Sequence, residues 1–275
     1  MGNPVYSWEY CVAAEICPQE YGHSLCNPVE RFDVSKAMYF SDQIAAFVPV
    51  TKKFKRIVID IHNYYRNLIA GGSQENVNNS VKFPIASRMR ALLWDDELEY
   101  NAKLHIQAAK RMVHDNCRAT ARYPLAGQNL GSTAVQGRQR VFETMLDHFR
   151  KMYNEKNEVD APAKLPEKLL GEHLAKSGHF TQLVGDRNSR VGCSFAVGLN
   201  CTEAGTRSGE LFKYCYYTAC HYDFSNLSQW RLYKTHPTTP GVDCGEWNVG
   251  MNKDPRYPNL CEPTVELFNY KDSKG

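Results

Sequence analysis

Ten cysteines in a chain of 275 residues constrain this sequence more than any other feature. They stand at Cys11, Cys17, Cys26, Cys117, Cys193, Cys201, Cys215, Cys220, Cys244 and Cys261. An even, dense set with no short CxxC repeat points to a disulfide framework built in an oxidising compartment. Zinc is the rival use of such residues. Cys215 and Cys220, followed by His221, lie close together, but no second close pair completes a tetrahedral set.

An oxidising compartment implies export. The opening residues, MGNPVYSWEYC, have neither the basic region nor the apolar core of a signal peptide. The chain therefore reads as the mature form of a secreted, extracellular protein. Sequons at Asn78, Asn200 and Asn226 agree with that reading, and Asn78 and Asn200 are the candidates for glycosylation. Asn226 falls inside a motif expected to be buried. No apolar run approaches the roughly 18 residues of a membrane span. A net charge of +3 gives no nucleic-acid surface, and the short basic run Thr51–Arg56 opens an amphipathic helix, where a solvated face is its simplest use.

Residues 1–50 hold three cysteines and little periodicity, and read as an irregular segment tied down by bridges. From Thr51, the expected N-cap, Ile57, Ile61, Tyr64, Tyr65 and Leu68 follow helical spacing up to a stop at Gly71–Gly72. A second helix starts at Asp95 or Asp96, with Leu98, Ala102, His105, Ala109 and Met112 on one face. A third covers 138–153, with Phe142, Met145, Leu146 and Phe149 turned inward. Residues 154–168 form a surface loop leading to a short helix before His179. The strand-like segments 190–199 and 210–222 form a hairpin with a long loop, and 229–234 is a candidate further strand. The tail from 236 is all turn residues around Cys244 and Cys261. Helices first and antiparallel strands later indicate an α+β domain.

Sequence signatures of catalysis are missing. There is no H-E-x-x-H zinc-protease helix, no P-loop and no Rossmann glycine pattern. The GCSFA run at 192–196 lacks the last glycine of a nucleophile elbow. With every cysteine expected in a bridge, no thiol nucleophile remains. An enzyme is not expected. What remains is a set of histidines, His62, His114, His148, His179 and His221, each equally at home as a hydrogen-bonded structural residue.

Four short motifs carry the identity of the chain. HNYYR at 62–66, GQNL at 127–130, GHFTQLV at 178–184 and CHYDFSNL at 220–227 occur in the order of the signatures of the CAP superfamily. This superfamily joins cysteine-rich secretory proteins, antigen 5 and pathogenesis-related 1 proteins. WDDELEYNAKL and HDNCR resemble the insect antigen-5 branch, and RYPNLC resembles the bridged tail of its fly members. The resemblance implies a three-layer α-β-α sandwich around a mostly antiparallel sheet. It divides the chain into an N-terminal segment (1–50), a CAP domain (51–235) and a C-terminal extension (236–275). It also implies five bridges: Cys11–Cys26, Cys17–Cys117, Cys193–Cys220, Cys201–Cys215 and Cys244–Cys261.

The same resemblance places a cleft lined by two histidines and two acidic residues, a site that binds zinc or another divalent metal in some members. On this sequence the histidines are His114 and His179. The first acidic position is Gln128, and the second aligns with His148, beside Asp147. An amide in place of a carboxylate removes negative charge from the site. His114, His148 and His179 are then the candidate ligands for Zn²⁺ or Cu²⁺, against an inert cleft in which Gln128 merely bonds to His179. Gly185 stands where relatives have tryptophan. Antigen-5 relatives sequester lipids or eicosanoids, or occupy host receptors and channels, so the expected function is non-enzymatic binding of such a hydrophobic ligand or partner protein. A groove would draw on Tyr64, Tyr65, Phe142 and Phe149, unless these serve the core. No Arg-Gly-Asp integrin motif is present, since Val184 precedes Gly185–Asp186.

Overall fold

A computed structural model describes Cys17, His23 and residues 39–40, 43–109, 113–203 and 211–264. These residues form two compact units, each assembled from three separated stretches of chain. The first draws on residues within 1–52, 95–149 and 192–223. The second draws on 53–94, 150–191 and 224–275.

The first unit is built on a sheet. Strands β1 (Tyr39–Phe40) and β2 (Gln43–Phe47) pair antiparallel with β7 (Arg190–Glu203), and β7 neighbours β8 (Leu211–Tyr222). Strand β8 pairs antiparallel with β6 (Gly127–Val135), in a register that sets Gln128 opposite His221 and Gly131 opposite Thr218. The two strand-like segments from the sequence are β7 and β8. Strand β6 was hidden because GQNLGSTAV is rich in small and polar residues and lacks β-branched alternation.

Helix α2 (Asp96–Ala109) starts where Asp95 Oδ1 accepts the backbone N–H groups of Glu97 and Leu98, both at 3.0 Å. Its Ala102 and Ile106 join Leu130, Ala196, Cys201, Cys215, Tyr217 and Ala219 in one buried cluster. Three disulfides lie in this unit: Cys17–Cys117, Cys193–Cys220 and Cys201–Cys215.

The second unit centres on α1 (Lys52–Ala70) and α4 (Gly171–Val184). Phe54, Val58, His62, Arg66 and Ile69 of α1 are buried at helical spacing, and the helix ends at Gly72 with φ of 67°. Arg66 is fully buried, and main-chain oxygens meet its cation. Its guanidinium donates to the carbonyls of Arg90 (2.9 Å), Leu183 (2.8 Å), Gly185 (2.9 Å) and Asn188 (3.2 Å). Asn63 exchanges two hydrogen bonds with the backbone of Leu92. The HNYYR motif is thus a buried polar clamp. Tyr65 stacks on Tyr153 at 4.2 Å, and Tyr153 and Phe83 both pack against Phe180. Strand β5 (Leu93–Trp94) runs parallel to the first residues of β7, and Cys244–Cys261 staples the tail.

The class is α+β, with a mostly antiparallel sheet, as expected. Four bridges have the pairing the resemblance implied, and Cys11–Cys26 lies outside the described residues. Two expectations fail. Residues 229–234 form turns and bends instead of a strand. On α3 (Val141–Asn154), Met145 and Phe149 face inward but Phe142 and Leu146 are exposed, because the buried stripe runs through 145, 149 and 152. A kink at Ser177 divides α4, so a short helical segment precedes His179, as expected, and His179 itself lies on the helical segment that follows the kink.

Candidate functional site

The expected site residues fall into three local arrangements. In the first unit, His114 is exposed on the segment between α2 and β6. Its Nδ1 donates to Gln128 Oε1 at 2.6 Å, and Gln128 is itself buried on β6. The Gln128 amide nitrogen then donates to His221 Nε2 at 2.9 Å, across the strand pair set by the register. Gln128 therefore links an exposed imidazole to a buried one.

The second unit holds His179. The kink at Ser177 interrupts the hydrogen bonding of α4, so the amides beyond it need acceptors. Glu155, just after α3, supplies them: its Oε2 accepts from the backbone N–H of His179 (2.9 Å) and Phe180 (3.2 Å). Its Oε1 accepts from His179 Nδ1 at 2.5 Å. One carboxylate thus caps a helix segment and orients the imidazole on it. Gly178 and Thr181 of the same segment receive the Asn226 side chain, at 2.9 and 2.7 Å. That amide is already engaged; Asn78 and Asn200 lie exposed, and the Asn78 amide donates to the Asn157 carbonyl at 2.7 Å.

His148 is elsewhere in chemical terms. It is 2 % exposed, and its ring sits between two hydroxyls, with Nδ1 at 2.8 Å from Thr218 Oγ1 and Nε2 at 2.8 Å from Thr133 Oγ1. Gly131 makes the room, since a Cβ there would meet the His148 ring at 3.0–3.1 Å. His148 therefore leaves the expected ligand set: both ring nitrogens are committed to threonines. The carboxylate beside His179 is Glu155, not a residue at 147 or 148.

A metal-bound imidazole has its second nitrogen fixed by an outer acceptor. His114, anchored by an amide oxygen, and His179, anchored by a carboxylate, each meet that requirement through Nδ1, which directs ligation to Nε2. His148 does not.

Sequence reasoning missed Glu155, His105 and Asp115. Glu155 follows His148 by two helical turns, within the polar segment that reads as a surface loop in sequence. His105 fitted the apolar face of α2, and Asp115 sat unremarked beside His114. His105 Nδ1 donates to Asp115 Oδ2 at 3.2 Å, and Arg118 Nε donates to Asp115 Oδ1 at 2.5 Å. Burial would raise the Asp115 pKa, but Arg118 and His105 outweigh it and hold the carboxyl well below its ordinary range. Burial keeps His221 well below the usual histidine pKa, with Asp115 opposing and His105, Arg118 and His23 adding to the shift. At neutral pH the pair is a carboxylate and a neutral imidazole.

These arrangements sit on the elements of a known class of secreted proteins. The profile of the cysteine-rich secretory protein family, CAP, matches residues 59–222, and the chain belongs to that family. Venom allergen-1 of Aedes albopictus is 30% identical over 256 residues, covering 92% of this chain and 87% of that protein. Venom allergen-1 of Aedes aegypti is 30% identical over 247 residues, covering 89% and 84%. Antigen 5 like allergen Cul n 1 of Culicoides nubeculosus is 34% identical over 154 residues, 54% of this chain and 64% of that protein. Among solved structures, Na-ASP-1 superposes with a TM-score of 0.57 at 18% identity, over 81% of this chain and 50% of that one. NaASP2 with Zn2+ gives 0.52 at 20% identity, over 77% and 96%. These likenesses establish the fold. The chain is accordingly a CAP-family protein similar to the venom allergens and antigen 5 proteins of mosquitoes and midges.

Proposed function

We propose that this protein is a secreted, non-enzymatic binding protein whose ligand is a small hydrophobic molecule with an anionic head. The observation that carries the reading is a shallow crevice in the second unit, open on one side and walled by Leu169, Phe224, Leu227 and Trp230 beside Arg187 and Arg231. Arg187 lies 5.8 Å from the Phe224 ring and 5.6 Å from the Trp230 ring, so positive charge stands directly over aromatic walls. Apolar walls with few charged groups are the usual make-up of a small-ligand site. The crevice encloses room for about one water, so a ligand would lie along its open side. Of the residues expected to line a groove, Tyr65 is stacked on Tyr153 and Phe149 is wholly buried, whereas Tyr64 and Phe142 are exposed.

Organic extraction of the native protein followed by mass spectrometry, with fluorescence titration of a long-chain fatty acid, tests this. An extracted anionic lipid, and a Trp230→Phe variant that loses the fluorescence response, are expected. An empty protein with no response up to about 100 μM ligand, a concentration where even weak pockets fill, would refute it.

A second reading, metal-dependent chemistry, rests on the His179 imidazole, which Glu155 anchors through Nδ1. One solved relative is described with Zn2+. Calorimetric titration of Zn²⁺ and Cu²⁺ into wild type and His179→Ala tests it, and equal heats from both would sink it.

A further inference from the structure

Behind Gln128, on the side away from His114, lies a cluster of a different kind. His105 of α2, Asp115 and His221 of β8 each present one ligand atom, and these atoms lie within 4.8 Å of one another. All three residues are buried, His105 and His221 to 1 % exposure and Asp115 to 6 %. We infer that His105, Asp115 and His221, with the carboxamide of Gln128 as fourth donor, form a closed binding site for a divalent transition metal, Zn²⁺ being the best match.

Four arguments converge on this assignment. The first is geometric. A tetrahedral ion with metal–ligand distances of about 2.1 Å has ligand–ligand edges of about 3.4 Å. The observed separations are 3.2 Å between His105 Nδ1 and Asp115 Oδ2, 2.9 Å between Gln128 Nε2 and His221 Nε2, and 3.3 Å between Gln128 Nε2 and His105 Nδ1. These three edges lie within about 0.5 Å of that value, and the ligand atoms of the two histidines and Asp115 are all within 4.8 Å of one another.

The second is the ligand chemistry. Two imidazoles and a carboxylate suit zinc and its neighbours, whereas calcium and magnesium take oxygen donors. A half-turn of the Gln128 carboxamide brings its oxygen inward and turns its nitrogen toward His114 Nδ1, which then accepts.

The third is outer support. Arg118 donates to Asp115 Oδ1 and, through its other nitrogen, to the Asp115 carbonyl at 2.7 Å, which leaves Oδ2 aimed at the imidazoles. Oriented outer partners of this kind accompany metal-bound carboxylates. The last is position. The donors come from α2, the segment after it, β6 and β8, and His23 is close enough to His221 for its charge to act there. An ion would staple these parts from within, which is the work of a closed, structural site. This site is independent of the ligand crevice and of the His179 imidazole.

The test uses the full chain carrying His114→Ala and His179→Ala, which removes the exposed imidazoles. After chelator treatment, equilibrium dialysis against Zn²⁺ is expected to restore about one equivalent and raise the thermal midpoint by about 5 °C. Adding His221→Asn is expected to weaken binding by at least about tenfold. Should that variant fail to fold, the zinc K-edge spectrum of the parent variant decides: two imidazoles with oxygen donors are expected. No zinc retained at about 100 μM free metal, a range far above the affinity of structural sites, overturns the assignment. So does full binding by a folded His221→Asn protein, or an edge spectrum without imidazole. Lipid extraction gives the same result either way, so the two proposals fail separately.

Discussion

Acid should destabilise this protein through His62, and the size of the effect can be worked out. His62 is wholly buried on α1, and its Nδ1 donates to the carbonyl of Val58 at 2.7 Å. Burial lowers its pKa from 6.5 to about 4, with the Val58 bond opposing and Arg66 contributing to the drop. The folded state therefore resists a proton that the unfolded chain accepts. Between pH 6.5 and 4 the unfolded state binds more protons, so stability falls as the pH falls, and the loss is complete below about pH 4. At pH 5 the two pKa values give a loss of about 2 kcal/mol. Replacing His62 by Gln removes that titration while keeping a donor for Val58. Urea unfolding with disulfides intact, followed by circular dichroism at pH 7, 6 and 5, measures the stability of each protein. Whatever the variant costs at pH 7, its loss on going to pH 5 should be smaller than wild type's by about 2 kcal/mol. His221 titrates in both proteins and cancels. A difference below about 0.5 kcal/mol, the ordinary scatter of additivity, would show that His62 is not the buried neutral imidazole described here.

Asp95→Ala removes the cap of α2 together with a 2.6 Å bond from the Tyr123 hydroxyl, and should cost about 2–3 kcal/mol in urea unfolding. Gly192→Ala would place a Cβ 2.0 Å from the Glu99 backbone nitrogen and 2.5 Å from the Leu98 carbonyl carbon. Neither main-chain atom can yield cheaply, so a loss of about 3 kcal/mol or more is expected. Gly131→Ala presses only on the His148 ring and should cost less, about 1–2 kcal/mol, read by the same assay. Replacing Cys17 and Cys117 together by Ala opens a loop of sequence separation 100, and should lower stability by about 4 kcal/mol.

Much of the fold was legible because the relevant signals are local. The α1 helix declared itself through Ile57, Ile61 and Leu68 at helical spacing and through the Gly71–Gly72 stop. Strands β7 and β8 did so through their valines and tyrosines. Strand β6 was illegible because its residues earn their place by pairing with β8 rather than by propensity. The exposed faces of Phe142 and Leu146 were misread because apolar residues occupy two stripes of α3, and periodicity alone does not say which is buried. The motifs led to His114, Gln128 and His179, but their partners depend on contacts distant in sequence. Glu155 reaches His179 across 24 residues, and Gln128 reaches His221 across 93. Nothing local marks such pairs. His105 was the most thoroughly disguised, since a histidine at an apolar helical position satisfies the same pattern as a core residue.

Arg66 has a consequence for how the second unit opens. Its guanidinium binds the carbonyls of Leu183, Gly185 and Asn188 while its own backbone belongs to α1. Separating α1 from the 183–188 segment would strand a charged group and its acceptors together, so neither can loosen while the other stays closed. In deuterium labelling, amide protons in the middle of α1 and those of residues 183–188 should exchange through one shared opening, with matching free energies and matching response to denaturant. The HNYYR and GHFTQLV motifs, more than a hundred residues apart in the chain, then behave as a single cooperative block.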